Sequence, residues 1–116
     1  MEMKTRTSGD INILEIAGRF DTNTVPPIAA WLEQVTSGSK ARVLVNLAET
    51  TFVDSTALAT LVQGLKRCQQ VQGDLCVCSL RRPVYMIFEL TRLDKAFNIF
   101  VDEQHAIQAL SDDSHV

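Results

Sequence analysis

Two hydroxyls stand behind an acid in the run Thr50-Thr51-Phe52-Val53-Asp54-Ser55-Thr56-Ala57-Leu58, where a helix should begin. Such residues suit a helix start, because their side-chain oxygens accept hydrogen bonds from the first unpaired backbone N–H groups. Ser55 is expected to act as a cap, with Asp54 a secondary one. A hydroxyl at the mouth of a loop is also placed to receive a group from a partner; Ser55 is the first candidate acceptor and Thr56 the alternative. Attack by Ser55 itself is a different chemistry and needs a base within hydrogen-bond reach. The histidines, His105 and His115, lie far along the chain, and no G-x-S-x-G elbow surrounds Ser55. No G-x-G-x-x-G or Walker-type loop is present to cradle phosphates. Asp21 and Asp54 could form a carboxylate pair, but acids are common in turns and caps. No catalytic residue is assigned, and the chain is not expected to be an enzyme. Cys68, Cys76 and Cys78 are an odd number with no fourth ligand nearby. They are placed in the core, and neither a metal site nor a cofactor is expected.

The elements that must position these residues follow from hydrophobic periodicity. Val43-Leu44-Val45-Asn46-Leu47 lies within a strand over 41–47 that is apolar on both faces, as a parallel interior strand should be. Leu58, Leu61, Val62, Leu65 and Cys68 recur at helical spacing up to about Gln72, with Gly73-Asp74 as the stop. Gly64 inside that helix costs about 1 kcal/mol relative to alanine, which a close backbone approach would explain. Upstream, 4–7 and 11–17 read as two strands around the turn Ser8-Gly9-Asp10, the second ending at Gly18-Arg19-Phe20-Asp21. Pro26-Pro27 opens a helix carrying Ile28, Trp31, Leu32 and Val35 inward, and Gly38 is the expected left-handed stop. Downstream come a strand over 75–78, a short helix with Val84, Ile87 and Phe88, and a strand over 97–100. A last helix capped by Asp102 turns Ala106, Ile107 and Leu110 inward, and 111–116 are expected to form a flexible tail.

The order predicts an α/β fold in one domain over 1–116, with a mixed, mostly parallel sheet of about five strands and about four helices. Partners meet such sheets at the carboxyl ends of the strands. Asp21, Asp54-Ser55-Thr56 and Arg81-Arg82 would converge there, the arginines reading otherwise as a solvated helix start. The composition is that of an ordinary soluble domain: 116 residues, 46% hydrophobic, 22% charged. A net charge of −3 and a pI near 5.2 give no support to nucleic-acid binding. No apolar run approaches the ~20 residues that span a bilayer, and no signal peptide precedes the first strand, so a cytoplasmic location without membrane attachment is expected.

Gly18-Arg19-Phe20-Asp21, the strand Val43 to Leu47, and Phe52-Val53-Asp54-Ser55-Thr56-Ala57-Leu58 together resemble a STAS domain of the anti-sigma factor antagonist family. Gly73-Asp74-Leu75-Cys76-Val77-Cys78 and the segment 84–97 stand in the family's order, so the resemblance covers nearly the whole chain. It implies a protein-binding regulatory switch. Ser55 would be phosphorylated by a cognate anti-sigma factor with serine kinase activity, and a phosphoserine phosphatase would reverse the modification. The unphosphorylated form binds the partner and the phosphorylated form releases it. Asp21, Asp54, Ser55, Thr56 and Ala57 would face the partner. Ala57 departs from the glycine that the family commonly carries there, and Pro26-Pro27 from polar or acidic residues. Two other readings stay open. One is a STAS scaffold or transporter-associated subunit without the phosphoswitch. The other is a receiver-like domain with Asp54 itself as acceptor, which wants clustered acids for a divalent metal and a nearby lysine; the sequence offers Asp21 alone and no well-placed Lys.

Overall fold

In the computed structural model, which describes residues 1–112, the chain runs β1 (Glu2–Ser8), β2 (Ile11–Phe20), α1 (Val25–Val35), β3 (Arg42–Asn46), β4 (Thr50–Val53), α2 (Ser55–Gln70), β5 (Asp74–Cys78), α3 (Arg82–Leu90), β6 (Asn98–Phe100) and α4 (Glu103–Asp112). β1 and β2 form an antiparallel hairpin, and every later strand pairs in parallel, in the order β1-β2-β3-β5-β6. The sixth strand is the short β4, which sequence periodicity leaves inside the loop before α2. It pairs with the far end of β2, which runs past Gly18 to Phe20 instead of stopping at Ala17. The register slips between Gly18 and Arg19, and Gly18 takes φ +91°, a conformation open to a residue without Cβ. A bulge thus lets one strand serve two parallel neighbours in succession.

Side chains alternate along the strands and build a core on each face of the sheet. Leu14 and Ile16 of β2, Val43 and Val45 of β3, and Leu75 and Val77 of β5 pack with α1, α2 and α3 in the larger one. Ile13, Leu44, Cys76 and Cys78 face Ala106 and Leu110 of α4 in the smaller one. All three cysteines are buried, and burial pushes the thiols of Cys68 and Cys78 up to about 12 and about 11, so they stay protonated. Trp31 is half-buried against the larger core.

Gly64 sits where α2 crosses that core. A Cβ there would lie 3.0 Å from Leu75 Cδ1 and 3.4 Å from the methyls of Leu32, the close approach that its place in a helix suggested. After α2 the left-handed residue is Gln72 (φ 64°), and Gly73 lies so close to the backbone of Ala41 that no side chain fits. Gly38 is not the left-handed residue after α1; Lys40 is, at φ 55°, its N–H donating to the carbonyl of Val71. Ser111 and Asp112 close α4 instead of starting a tail, and 113–116 lie outside the described residues.

Candidate functional site

β4 delivers the chain to the start of α2 in an extended conformation, and Asp54 ends it at φ −112° and ψ −179°. That backbone suits an N-cap, and Asp54 is the cap: its Oδ1 accepts from the N–H of Ala57 at 2.9 Å. The expectation for Ser55 is therefore corrected. Ser55 is the first residue inside the helix, so its side chain points outward instead of back across the first turn. It is exposed and has no hydrogen-bond partner among the described residues.

The other oxygen of Asp54 reaches across to the β2–α1 loop. Thr22 gives it both its N–H, at 2.9 Å, and its hydroxyl, at 3.0 Å. The hydroxyl of Thr22 also lies 3.1 Å from that of Thr56. The N–H of Ala57, with those of Thr22 and Thr56 and the Thr22 hydroxyl, holds the Asp54 carboxyl below its ordinary value, so it is ionised at neutral pH. Thr22 is the residue that sequence reasoning missed. Its run, Asp21-Thr22-Asn23-Thr24, carries turn and cap residues throughout, and nothing in the run marks one threonine as a long-range contact.

Asp21 stands in the same loop but turns inward on it. Its Oδ1 accepts from the N–H of Asn23 at 3.1 Å, and its Oδ2 lies 3.3 Å from Arg19 Nε. Arg19 in turn lies over the ring of Phe52 on β4, 4.1 Å from its centroid. Thus the β2–α1 loop meets the start of α2 through Thr22 and Asp54, and the paired strands β2 and β4 meet beside it through Arg19 and Phe52. Ala57 is fully buried and gives the surface no side chain; its part is the N–H that fixes Asp54. Arg81 does not join this edge: it holds the carbonyl of Ala48 at 2.8 Å and the carboxylate of Glu49 at 2.9 Å, closing the β3–β4 connection. Arg82 is exposed at the start of α3.

Beside Ser55 opens a mostly apolar groove of about 490 Å³, lined by Leu58, Ala59 and Val62 of α2 and by Thr91 and Leu93 beyond α3. A hydroxyl and an apolar groove thus lie side by side, with the neighbouring Asp54 carboxylate engaged by Ala57 and Thr22. His105 is engaged on α4, its Nδ1 2.6 Å from Asp102, and His115 lies outside the described residues. No group of three or more His, Cys, Asp or Glu side chains converges among the described residues. No helix among them is long and apolar enough to cross a membrane.

The anti-sigma-B factor antagonist of Listeria monocytogenes is 33% identical to this chain over 101 residues, 85% of this chain and 86% of its own length. An anti-sigma factor antagonist from Mycobacterium paratuberculosis superposes with a TM-score of 0.86 at 20% identity, over 96% of this chain and 94% of that one. The phosphorylated form of the Bacillus protein SpoIIAA superposes at 0.74 and 15% identity, over 93% and 98%. At those identities the two structures speak for the fold alone. The family model of the STAS domain matches residues 2–106. With that match and a relative of one-third identity along nearly its full length, this chain belongs to the STAS domain family, the fold family of the anti-sigma factor antagonists.

Proposed function

We propose that this chain is an anti-sigma factor antagonist of the cytoplasm that works as a phosphorylation switch, with Ser55 as its acceptor. The unphosphorylated form binds a cognate anti-sigma factor that is also a serine kinase. In the transfer, Ser55 Oγ bonds to the γ-phosphorus of ATP held by the kinase, the bond to ADP breaks, and the hydroxyl proton passes to a base on the kinase. The phosphorylated form lets go, and a phosphoserine phosphatase restores the hydroxyl by hydrolysis. The observation that carries this reading is the exposed hydroxyl at the first position of α2, without a hydrogen-bond partner among the described residues and next to an apolar groove. The 33%-identical relative, an anti-sigma-B factor antagonist, supports it, and SpoIIAA is a protein of this fold that occurs in unphosphorylated and phosphorylated forms.

The electrostatics explain why such a phosphate would release a partner without unfolding the domain. It brings about −1.5 to −2 charges at neutral pH, and the N-terminus of a 16-residue helix favours negative charge. Asp54 is already ionised beside it, and Asp21 stands in the facing loop. The charge therefore accumulates on the docking surface, where a partner fitted to a neutral hydroxyl is repelled. Asp21, Asp54 and Thr56 frame that surface, and Ala57 seats it from below.

The test is binding of the anti-sigma factor from the native host to Ser55→Ala and Ser55→Asp proteins, with phosphosite mapping of the wild type. Ser55→Ala is expected to bind as the unmodified protein does. Ser55→Asp should bind at least about tenfold more weakly, a loss of about 1.4 kcal/mol. Equal binding by the two variants, or phosphate elsewhere than on Ser55, overturns the reading.

A further inference from the structure

We propose that Thr22 decides which of the two adjacent hydroxyls at the start of α2 is open to modification, by holding Thr56 and leaving Ser55 exposed. The inference rests on the reading of Ser55 as a phosphate acceptor and adds what makes the choice.

Ser55 and Thr56 are neighbours of like chemistry, both exposed in the first turn of α2. They differ in what they touch. Thr56 Oγ1 lies 3.1 Å from Thr22 Oγ1, which lies 3.0 Å from Asp54 Oδ2. A threonine hydroxyl has a single proton to give, and an ionised carboxylate only accepts. The Thr22 proton therefore goes to Asp54, and the contact with Thr56 is closed by the proton of Thr56. Thr56 donates to Thr22, Thr22 donates to Asp54, and each link polarises the next. The backbone N–H of Thr22, 2.9 Å from the same Asp54 oxygen, fixes the relay from the loop side.

Phosphoryl transfer to Thr56 would require its oxygen to bond to the γ-phosphorus of ATP as the bond to ADP breaks. Its proton would have to pass to the kinase instead of to Thr22. The oxygen must first leave the relay, and a β-branched side chain has few rotamers to leave into. Ser55 has no such tether among the described residues and opens on the groove. Thr22 is thus a positioning residue that acts through Thr56 and Asp54.

The experiment uses the full chain, expressed from its native locus and recovered for phosphosite mapping, together with NMR of the purified proteins. Thr22→Val keeps the N–H and the branched shape and removes the hydroxyl; Thr22→Ser keeps the hydroxyl. In the wild type, phosphate is expected on Ser55, with Thr56 in one χ1 rotamer. In Thr22→Val, Thr56 should average over rotamers and the Asp54 carboxyl should titrate higher. The share of phosphate on Thr56 should rise roughly five- to tenfold, the scale of one hydrogen bond. Thr22→Ser should return all three towards the wild type. A Thr56 that keeps one rotamer in Thr22→Val, or gains no phosphate while Ser55 is modified as before, overturns the role of Thr22 alone. Phosphate on neither residue in any of the proteins removes the acceptor role of Ser55, and with it the choice Thr22 is proposed to make.

Discussion

The carboxylate of Asp54 ties a helix to a loop. One oxygen caps α2 at the N–H of Ala57 and the other holds Thr22, so the same ionised group shapes both sides of the surface on which Ser55 stands. Its hydrogen bonds favour the charged form, Ala57 first, and lower its pKa from the ordinary 3.8. For a carboxyl whose folded pKa is depressed, the stabilisation is complete above the unfolded value and is lost as pH falls through the folded one. Asp54→Ala should therefore melt at a lower temperature than wild type at neutral pH. The gap should close in strong acid, where both folded and unfolded carboxyls are protonated. Thermal melts of the two proteins across that range check it; a gap that stays constant with pH would show that Asp54 acts by packing alone. Asp54→Asn, which keeps an acceptor oxygen but no charge, should fall between them at neutral pH.

At the scale of elements, the helices were legible because each buries one stripe, and the inner strands because they are apolar on both faces. β4 was not legible. Thr50-Thr51-Phe52-Val53 is short, and it becomes a strand only because β2 runs on past its bulge and offers backbone partners, a fact of tertiary pairing. The cap was misassigned for a related reason. Asp54 and Ser55 are both good caps by type, and the choice is made by the extended backbone that β4 imposes on Asp54. Thr22 was out of reach because its partners lie on another element. Gly64, in contrast, carried its own signal, and it sets two effects against each other. Alanine would gain about 1 kcal/mol of helix propensity. Its methyl would press on Leu75 at 3.0 Å and on Leu32 at 3.4 Å, and both leucines are fully buried, with little freedom to give way. Overpacking of that kind costs about 1–3 kcal/mol, so Gly64→Ala should destabilise the protein by about 1 kcal/mol net in urea unfolding. A gain in stability would mean that the α1–α2 contact is looser than its geometry.

Across the whole molecule the sheet separates two tasks. The face packed by α1, α2 and α3 carries Ser55, its loop and the groove, whereas the face under α4 holds a second core and its own polar tie. That tie begins at Arg6 on the edge strand β1. Arg6 reaches Glu15 on β2 at 3.1 Å and Glu103 at the start of α4 at 2.6 Å, and Asn46 on β3 donates to the same Glu103 carboxylate at 2.9 Å. Glu103 thus fastens the last helix to the first and third strands. Arg6 foremost, with Asn46, outweighs partial burial and holds its carboxyl below the ordinary value of 4.5. The stability it adds is present above that value and is lost as pH falls through the folded pKa. Glu103→Gln keeps an acceptor for Arg6 and removes the charge. It should lose about 1 kcal/mol at neutral pH, as half-exposed ion pairs do, and nothing in strong acid. High salt should shrink the difference by screening the pair. Because the sheet stands between this network and Ser55, the proposed function predicts that the same variant matches the wild type in anti-sigma factor binding and in phosphate on Ser55. Chemical unfolding at several pH and salt values, run beside a binding titration, reads both halves. Unchanged stability would mean that Arg6 and Glu103 are solvated rather than paired. Weakened binding would mean that the two faces of the sheet are coupled.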